Sequence, residues 1–186
     1  DVSRLLGKDI SLDMKDGKIA VDSDFETSEP GVYAIGDVAA RTQLAHVAAA
    51  QGTYVVEKIA GRPHSIKLEV VPNGMFVSLP IVPNCIYTDP EIATVGITEE
   101  IAKKYGLKVR CGHFSMRDNG KSIITGEEHG FIRLLFEAYS NTIVGAQMMC
   151  PRATDMIGEI ATAIANGLTA QEMSFAMRAQ PTYNEG

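Results

Sequence analysis

The chain has 186 residues, 45% hydrophobic and 22% charged, with a formal net charge of −6. That composition supplies a sizeable core for one domain or one and a half and argues against wholesale disorder. An acidic chain without clustered Lys and Arg does not suit a nucleic-acid partner, and no apolar run reaches the roughly 20 residues of a membrane span.

The first predicted element is a short strand over 18–21, LysIleAlaVal. A near-continuous apolar run follows at 31–36, GlyValTyrAlaIleGly, the mark of a strand buried on both faces. Leu44, Val47, Ala48, Val55 and Ile59 then recur at helical steps, and Gly61 and Pro63 close that helix. The Pro- and Gly-rich stretch 62–83 reads as a linker, which divides the chain into regions 1–70 and 76–186. Beyond it, strands are predicted at 84–88, 92–96, 107–115, 130–137 and 142–149, the last two joined as a hairpin through 138–141. A short helix over 99–105 has Thr98 as its cap, and Gly106 ends it. A longer helix over 152–166 carries Met156, Ile157, Ile160, Ala161 and Ile164 on one stripe, and Thr169 with Glu172 forms a capping box for another. The second region is therefore α+β, an antiparallel sheet with flanking helices.

The chain opens on Asp1 and stops at Gly186 directly after a motif, so we expect a piece of a longer protein. Cys85, Cys111 and Cys150 form no CxxC or CxxxxC pair. They read as reduced thiols packed as small hydrophobes, in a reducing, cytoplasmic compartment. His64, His113 and His129 have no ligand-like spacing, so no metal site is expected, and Met148, Met149 and Met156 read as core.

Two segments carry chemistry. In 27–38, ThrSerGluProGlyValTyrAlaIleGlyAspVal, an apolar run ends in Gly36 and Asp37 ahead of a helix. Gly36 lets the backbone approach a ligand, and Asp37 is an acceptor placed for a polyol. The helix start adds a partial positive charge. A bare Gly-Asp is usually only a turn. The whole string, however, closely resembles the second flavin-binding motif of the FAD-linked pyridine nucleotide-disulfide oxidoreductases. That resemblance implies that Asp37 binds the ribityl chain of FAD. It also implies that the backbone at Leu44, Ala45 and His46 meets the pyrimidine side of the flavin ring, with no catalytic role for the imidazole.

The second segment is 178–186, ArgAlaGlnProThrTyrAsnGluGly. It resembles the family's closing motif His-Pro-Thr-x-x-Glu, while 82–96, 130–136 and 143–147 resemble its dimerisation domain. Dihydrolipoamide dehydrogenases are the nearest named members. The resemblance implies a C-terminal remnant of an FAD-binding α/β domain at 1–70 and an interface domain at 76–186. It further implies FAD and NAD as cofactors of the parent protein, a homodimer, and a lipoamide-type substrate or lipoyl domain. In the family the histidine, oriented by the glutamate, is the base for the dithiol and reaches the partner subunit's flavin. Here that position is Gln180, with Glu185 retained, and Gln180-Pro181 is a candidate cis peptide.

An amide does not titrate near neutrality, so Gln180 can bind but cannot shuttle a proton. Four readings stay open. The chain can come from a lipoamide-type enzyme of low dithiol activity or from a flavoenzyme of the NADH oxidase or transhydrogenase type. Gln180 can be an introduced substitution, or it can be structural with water serving as base. The sequence carries no GxGxxG loop and no redox cysteine pair. The chain alone is therefore expected to bind neither cofactor and to be inactive, or to serve only as a dimerisation module.

Overall fold

The computed structural model describes residues 2, 10–39, 42–66, 68–70 and 79–186. The chain divides into two compact units, Asp1–Leu68 and Glu69–Gly186.

In the first unit, strands β1 (Met14–Lys15) and β2 (Lys18–Ile19) pair as a hairpin. Asp16 and Gly17 turn it, with φ of 52° and 78°, an Asp-Gly signal that favours this turn. The strand expected at 31–36 is not formed. Its Tyr33 makes a single antiparallel bridge to Glu26, the Thr27 N–H donates to Val32 O, and the Ala34 N–H donates to Phe25 O. The run is one arm of a tight loop rather than a strand buried on both faces, and Val32 is exposed. Apolar continuity reports burial potential, but a ladder needs paired neighbours along its length.

Helix α1 spans Ala45–Ile59 and buries Val47, Gln51 and Val55, spaced four apart. Ile59, expected on that stripe, is exposed. The N–H of Gly61 bonds Lys58 O and that of Arg62 bonds Glu57 O, the paired pattern of a Schellman end. Asp24 fastens the helix by accepting from Tyr54 Oη at 3.0 Å and by pairing with Lys58. The Tyr54 ring stacks on His64.

In the second unit, β3 (Glu69–Val70) pairs with β4 (Leu79–Pro80), so the described ends of the expected linker form a ladder. Residues 67 and 71–78 of that stretch lie outside the described residues. Strands β5 (Asn84–Ile86), β6 (Glu91–Gly96), β7 (Val109–Ser115), β8 (Phe131–Glu137) and β9 (Ile143–Cys150) make a five-stranded antiparallel sheet in the order β5-β6-β9-β8-β7. Helix α2 (Glu99–Lys104) is capped by Thr98 Oγ1, which accepts from Ile101 N–H. Helix α3 (Gly120–Thr125) was not anticipated from the sequence. It starts at Asn119, whose Oδ1 accepts from Ser122 N–H at 2.9 Å. Helices α4 (Ala153–Ala165) and α5 (Ala170–Ser174) follow, the latter with the Thr169–Glu172 capping box in place.

The main core lies between α4 and the sheet. Ile157, Ile160, Ala163 and Ile164 pack with Ala93, Val95, Ile132, Ala146, Met148 and Cys150. Each fully buried aliphatic side chain of this kind contributes about 1.5–3 kcal/mol. No side chain of the N-cap residue Arg152 closes the start of α4. Instead Glu91 Oε2 on β6 accepts from Thr154 N–H at 2.9 Å and from its hydroxyl at 2.6 Å, which puts a carboxylate at the positive end of the helix. A smaller cluster of Ile97, Ala102, Leu135 and Val144 serves α2. Burial differs among the thiols. Cys150 is buried and its pKa is raised to about 11 by desolvation, whereas Cys111 is exposed, contrary to the expectation for all three.

Two glycines separate packing from propensity. A Cβ on Gly145 would lie 2.1 Å from Ile97 O, whereas one on Gly158, inside α4, would meet nothing within 4 Å. Gly145→Ala is expected to cost at least ~2 kcal/mol, and Gly158→Ala to add up to ~1 kcal/mol. Thermal melts of the two variants should move in opposite directions, and equal shifts would contradict this account.

Candidate functional site

In the first unit, Gly36–Val38 forms one turn of 3₁₀ helix. Gly36 has φ +66°, and an added Cβ would meet Ala48 Cβ at 2.9 Å, so only glycine brings this turn so close to α1. The Gly36 N–H donates to Gln51 Oε1 at 2.8 Å, a buried link between turn and helix. Asp37 is exposed, and among the described residues nothing pairs with its carboxylate. Leu44 is the N-cap of α1; its side chain offers no acceptor, and its carbonyl accepts from the Val47 and Ala48 N–H groups at 3.1 Å each. Ala45 and His46 are exposed there. An acceptor open among the described residues, a close-approach glycine and a helix start whose N-cap residue brings no side-chain cap thus occur in this unit; the acceptor suits the hydroxyls of a polyol, and the helix start suits partial negative charge. Gln51 is the member of this group that sequence reading missed, because a glutamine inside an amphipathic helix carries no motif.

In the second unit, the terminal segment is built around Thr182. The Gln180–Pro181 peptide is cis. The Thr182 N–H donates to Glu185 Oε2 at 2.9 Å, and Thr182 Oγ1 donates to Ala179 O at 2.6 Å. The Glu185 carboxylate thus reaches back to the N-cap residue Thr182 of the 3₁₀ turn Tyr183–Glu185, the carboxylate half of a capping box. Gln180 is exposed, and among the described residues its side chain has no partner. The carboxylate of Glu185 is committed to the Thr182 backbone, and no bond joins it to the Gln180 amide among those residues.

The segment is anchored on two sides. Glu159 on α4 pairs with Arg178 and accepts from Asn184 Nδ2 at 3.3 Å. Tyr183 Oη bonds Glu127 and lies 3.0 Å from Thr125 Oγ1. The Tyr183 and Thr125 hydroxyls hold the Glu127 carboxyl below its ordinary pKa. Burial, then the Glu127 carboxylate, pushes the Tyr183 phenol up. Asn119 completes the anchoring, with Nδ2 donating to Thr182 O at 3.0 Å and to Tyr183 O at 3.4 Å. Asn119, Glu127 and Glu159 were not legible as site residues, because contacts across so many residues leave no spacing to read.

Residues 82–186 match the pyridine nucleotide-disulphide oxidoreductase dimerisation domain, and residues 2–52 match the pyridine nucleotide-disulphide oxidoreductase family. The chain belongs to this family. Among its relatives, the dihydrolipoyl dehydrogenase of Geobacillus stearothermophilus is 36% identical over 169 residues, covering 91% of this chain and 34% of that protein. The dihydrolipoyl dehydrogenase of Chlorobaculum tepidum is 35% identical over 181 residues, covering 97% and 36%. The crystal structure of LpdA from Mycobacterium tuberculosis aligns with a TM-score of 0.79 at 26% identity, covering 90% of this chain and 34% of that one. The chain thus spans about a third of the length of the relatives it matches. Among its described residues no helix is long and apolar enough to cross a membrane, and no group of three or more His, Cys, Asp or Glu side chains could hold a metal ion.

Within this oxidoreductase chain, the tie from Tyr183 to Glu127 titrates. A depressed carboxyl pKa stabilises the fold above the unfolded value, about 4.3, and that contribution is lost as pH falls through the folded value. The raised phenol pKa stabilises below about 10 and loses its contribution as pH rises through its folded value. The melting temperature of Tyr183→Phe should therefore fall below wild type at pH 7, with the gap closing below about pH 4. A gap that is constant across this range would show that the hydroxyl does not act through Glu127.

Proposed function

We propose that this chain is the C-terminal part of an FAD-dependent dihydrolipoamide dehydrogenase-like oxidoreductase. Residues 1–70 are the remnant of the FAD-binding domain, and residues 76–186 are the interface domain through which two copies form a homodimer. The parent converts a dihydrolipoamide-type dithiol, free or on a lipoyl domain, and NAD⁺ into the disulfide, NADH and a proton. The observation that carries this reading is the Pro181-Thr182…Glu185 turn, folded with the Glu185 carboxylate on the Thr182 N–H and its anchors, in a chain about 35% identical to dihydrolipoyl dehydrogenases. The unpaired thiols support a reducing, cytoplasmic setting.

FAD suits the first unit on three counts: the open Asp37 carboxylate, the Cβ-free approach at Gly36, and the helix start at Leu44, Ala45 and His46. When bound, the flavin supplies the two-electron relay between thiol and nicotinamide. Asp37 would accept from its ribityl hydroxyls, and the start of α1 would stabilise negative charge on its ring. In the second unit, Glu185 holds the turn that presents position 180. Gln180 can orient a substrate there but cannot take its proton. That gap is the one feature that the alternative reading, a parent of the NADH oxidase or transhydrogenase type, explains directly. The chain by itself is proposed to act at most as a dimerisation module, without cofactor.

Dihydrolipoamide:NAD⁺ turnover of the full-length protein, as encoded and as Gln180→His, separates the two. A gain of about 10²–10⁴-fold with histidine would identify a dithiol site missing its base. No gain, with fast NADH oxidation, would sink the dithiol reading in favour of the second. Independently, Asp37→Ala in the full-length protein should weaken FAD retention by about 10–100-fold, the range of a charge-assisted hydrogen bond. Unchanged retention would remove Asp37 from the flavin site.

A further inference from the structure

Asn119 does two jobs with one side chain. Its Oδ1 caps α3 by accepting from Ser122 N–H at 2.9 Å, and its Nδ2 grips the carbonyls of Thr182 and Tyr183 at 3.0 and 3.4 Å. It is only 2% exposed, so water does not compete well for these bonds. Asp, Ser or Thr would cap α3 about as well. None of them has an amide N–H₂ to donate to two carbonyls. The residue type is thus explained by the second job rather than the first.

We propose that Asn119 is a positioning residue for the reaction at the terminal turn. This rests on the reading of 180–185 as the dithiol site. Thr182 is the hub through which it acts. The Thr182 N–H is held by Glu185, its hydroxyl by Ala179 O, and its carbonyl by Asn119. Ala179 and Thr182 bracket Gln180 and Pro181, so fixing Thr182 fixes the backbone from which the side chain at position 180 projects. Preorganisation of this kind contributes to catalysis when the reacting group must be held within about half an ångström. Among the described residues the side chain of residue 180 is itself unpaired, so its orientation depends on this backbone support.

Asn119→Asp separates the two jobs, since the carboxylate still caps α3 but cannot donate to the carbonyls. In the full-length protein, hydrogen exchange read by mass spectrometry should show 120–125 as protected as in wild type. Peptides covering 180–186 should exchange about tenfold faster, the factor for one net hydrogen bond. In the Gln180→His background, dihydrolipoamide turnover should lose about tenfold in kcat with KM little changed, because alignment rather than binding is lost. Asn119→Ala should expose both 120–125 and 180–186.

Wild-type exchange at 180–186 in Asn119→Asp would overturn the clamp. Equal loss of protection at 120–125 would make Asn119 a structural cap alone and overturn it as well. Faster exchange with unchanged kcat would overturn the positioning role. If neither Gln180 nor His at position 180 supports any dithiol turnover, that failure belongs to the functional reading, and the exchange comparison still decides the clamp.

Discussion

The second unit hangs on a pinch between two backbones. Gly96 on β6 faces Gly145 on β9, and a Cβ on either would lie within 2.2 Å of a carbonyl oxygen of the opposing strand segment. Residues two apart on a strand should share a face, yet here they do not. Val95 packs in the α4 cluster and Ile97 in the α2 cluster; Ala146 belongs to the first and Val144 to the second. Both strands change sides at the glycine pair. On β9 the mechanism is a bulge: Leu135 pairs with Gly145 and Phe136 with Ile143, which leaves Val144 over. On β6 it is the turn of the chain at Gly96, after which Ile97 N–H bonds Val144 O at 3.0 Å. One close contact therefore lets a single sheet feed two helices with separate cores.

That arrangement reaches the terminal turn through two intermediaries. Seated on the sheet by its isoleucines, α4 presents Glu159 toward Arg178 and Asn184. Following the edge strand β7, α3 presents Thr125 and its cap Asn119. The turn is thus suspended between a long helix with a deep core and a short one with little core of its own. A six-residue helix cannot sustain itself by propensity. It depends on its cap, and the cap residue also holds the turn, so local helix stability and site geometry share one side chain.

The sequence was most informative where a feature is local. The Thr98 cap, the Thr169–Glu172 box and the stripe on α4 are written within a few residues; α2 and α4 appear within about a residue of their expected bounds, and α5 starts directly after its expected cap. The 31–36 run misled because hydrophobic continuity says how much a segment can bury and nothing about what pairs with it. Helix α3 was missed because six residues with two exposed isoleucines show no apolar stripe, and its one signal, an asparagine before a glycine, reads equally as a turn. Cys111 was misjudged because a thiol on an edge strand has the same residue identity whether its face is covered or open. At the candidate site, motif residues could be named from the sequence. Their supports Gln51, Asn119, Glu127 and Glu159 could not, because those act across distances in sequence that no spacing rule spans.

The support around position 180 also bears on how its glutamine should be weighed. A turn that had given up dithiol chemistry would be free of the demand to hold its first residue steady. Here the constraints remain: the Glu185 carboxylate on the Thr182 N–H and the anchors from α3 and α4 converge on Thr182 and its neighbours. What is missing is one proton-accepting atom, not the frame that would aim it. Imidazole and carboxamide are both planar and both offer hydrogen-bonding atoms at their far end, so the exchange asks little of the frame. The cost falls on acid–base chemistry, since only the imidazole changes charge near neutral pH. A site altered at one titratable position inside an otherwise intact frame is what a dithiol enzyme with a disabled base requires, and it is the reason to weigh that reading above wholesale loss of the chemistry.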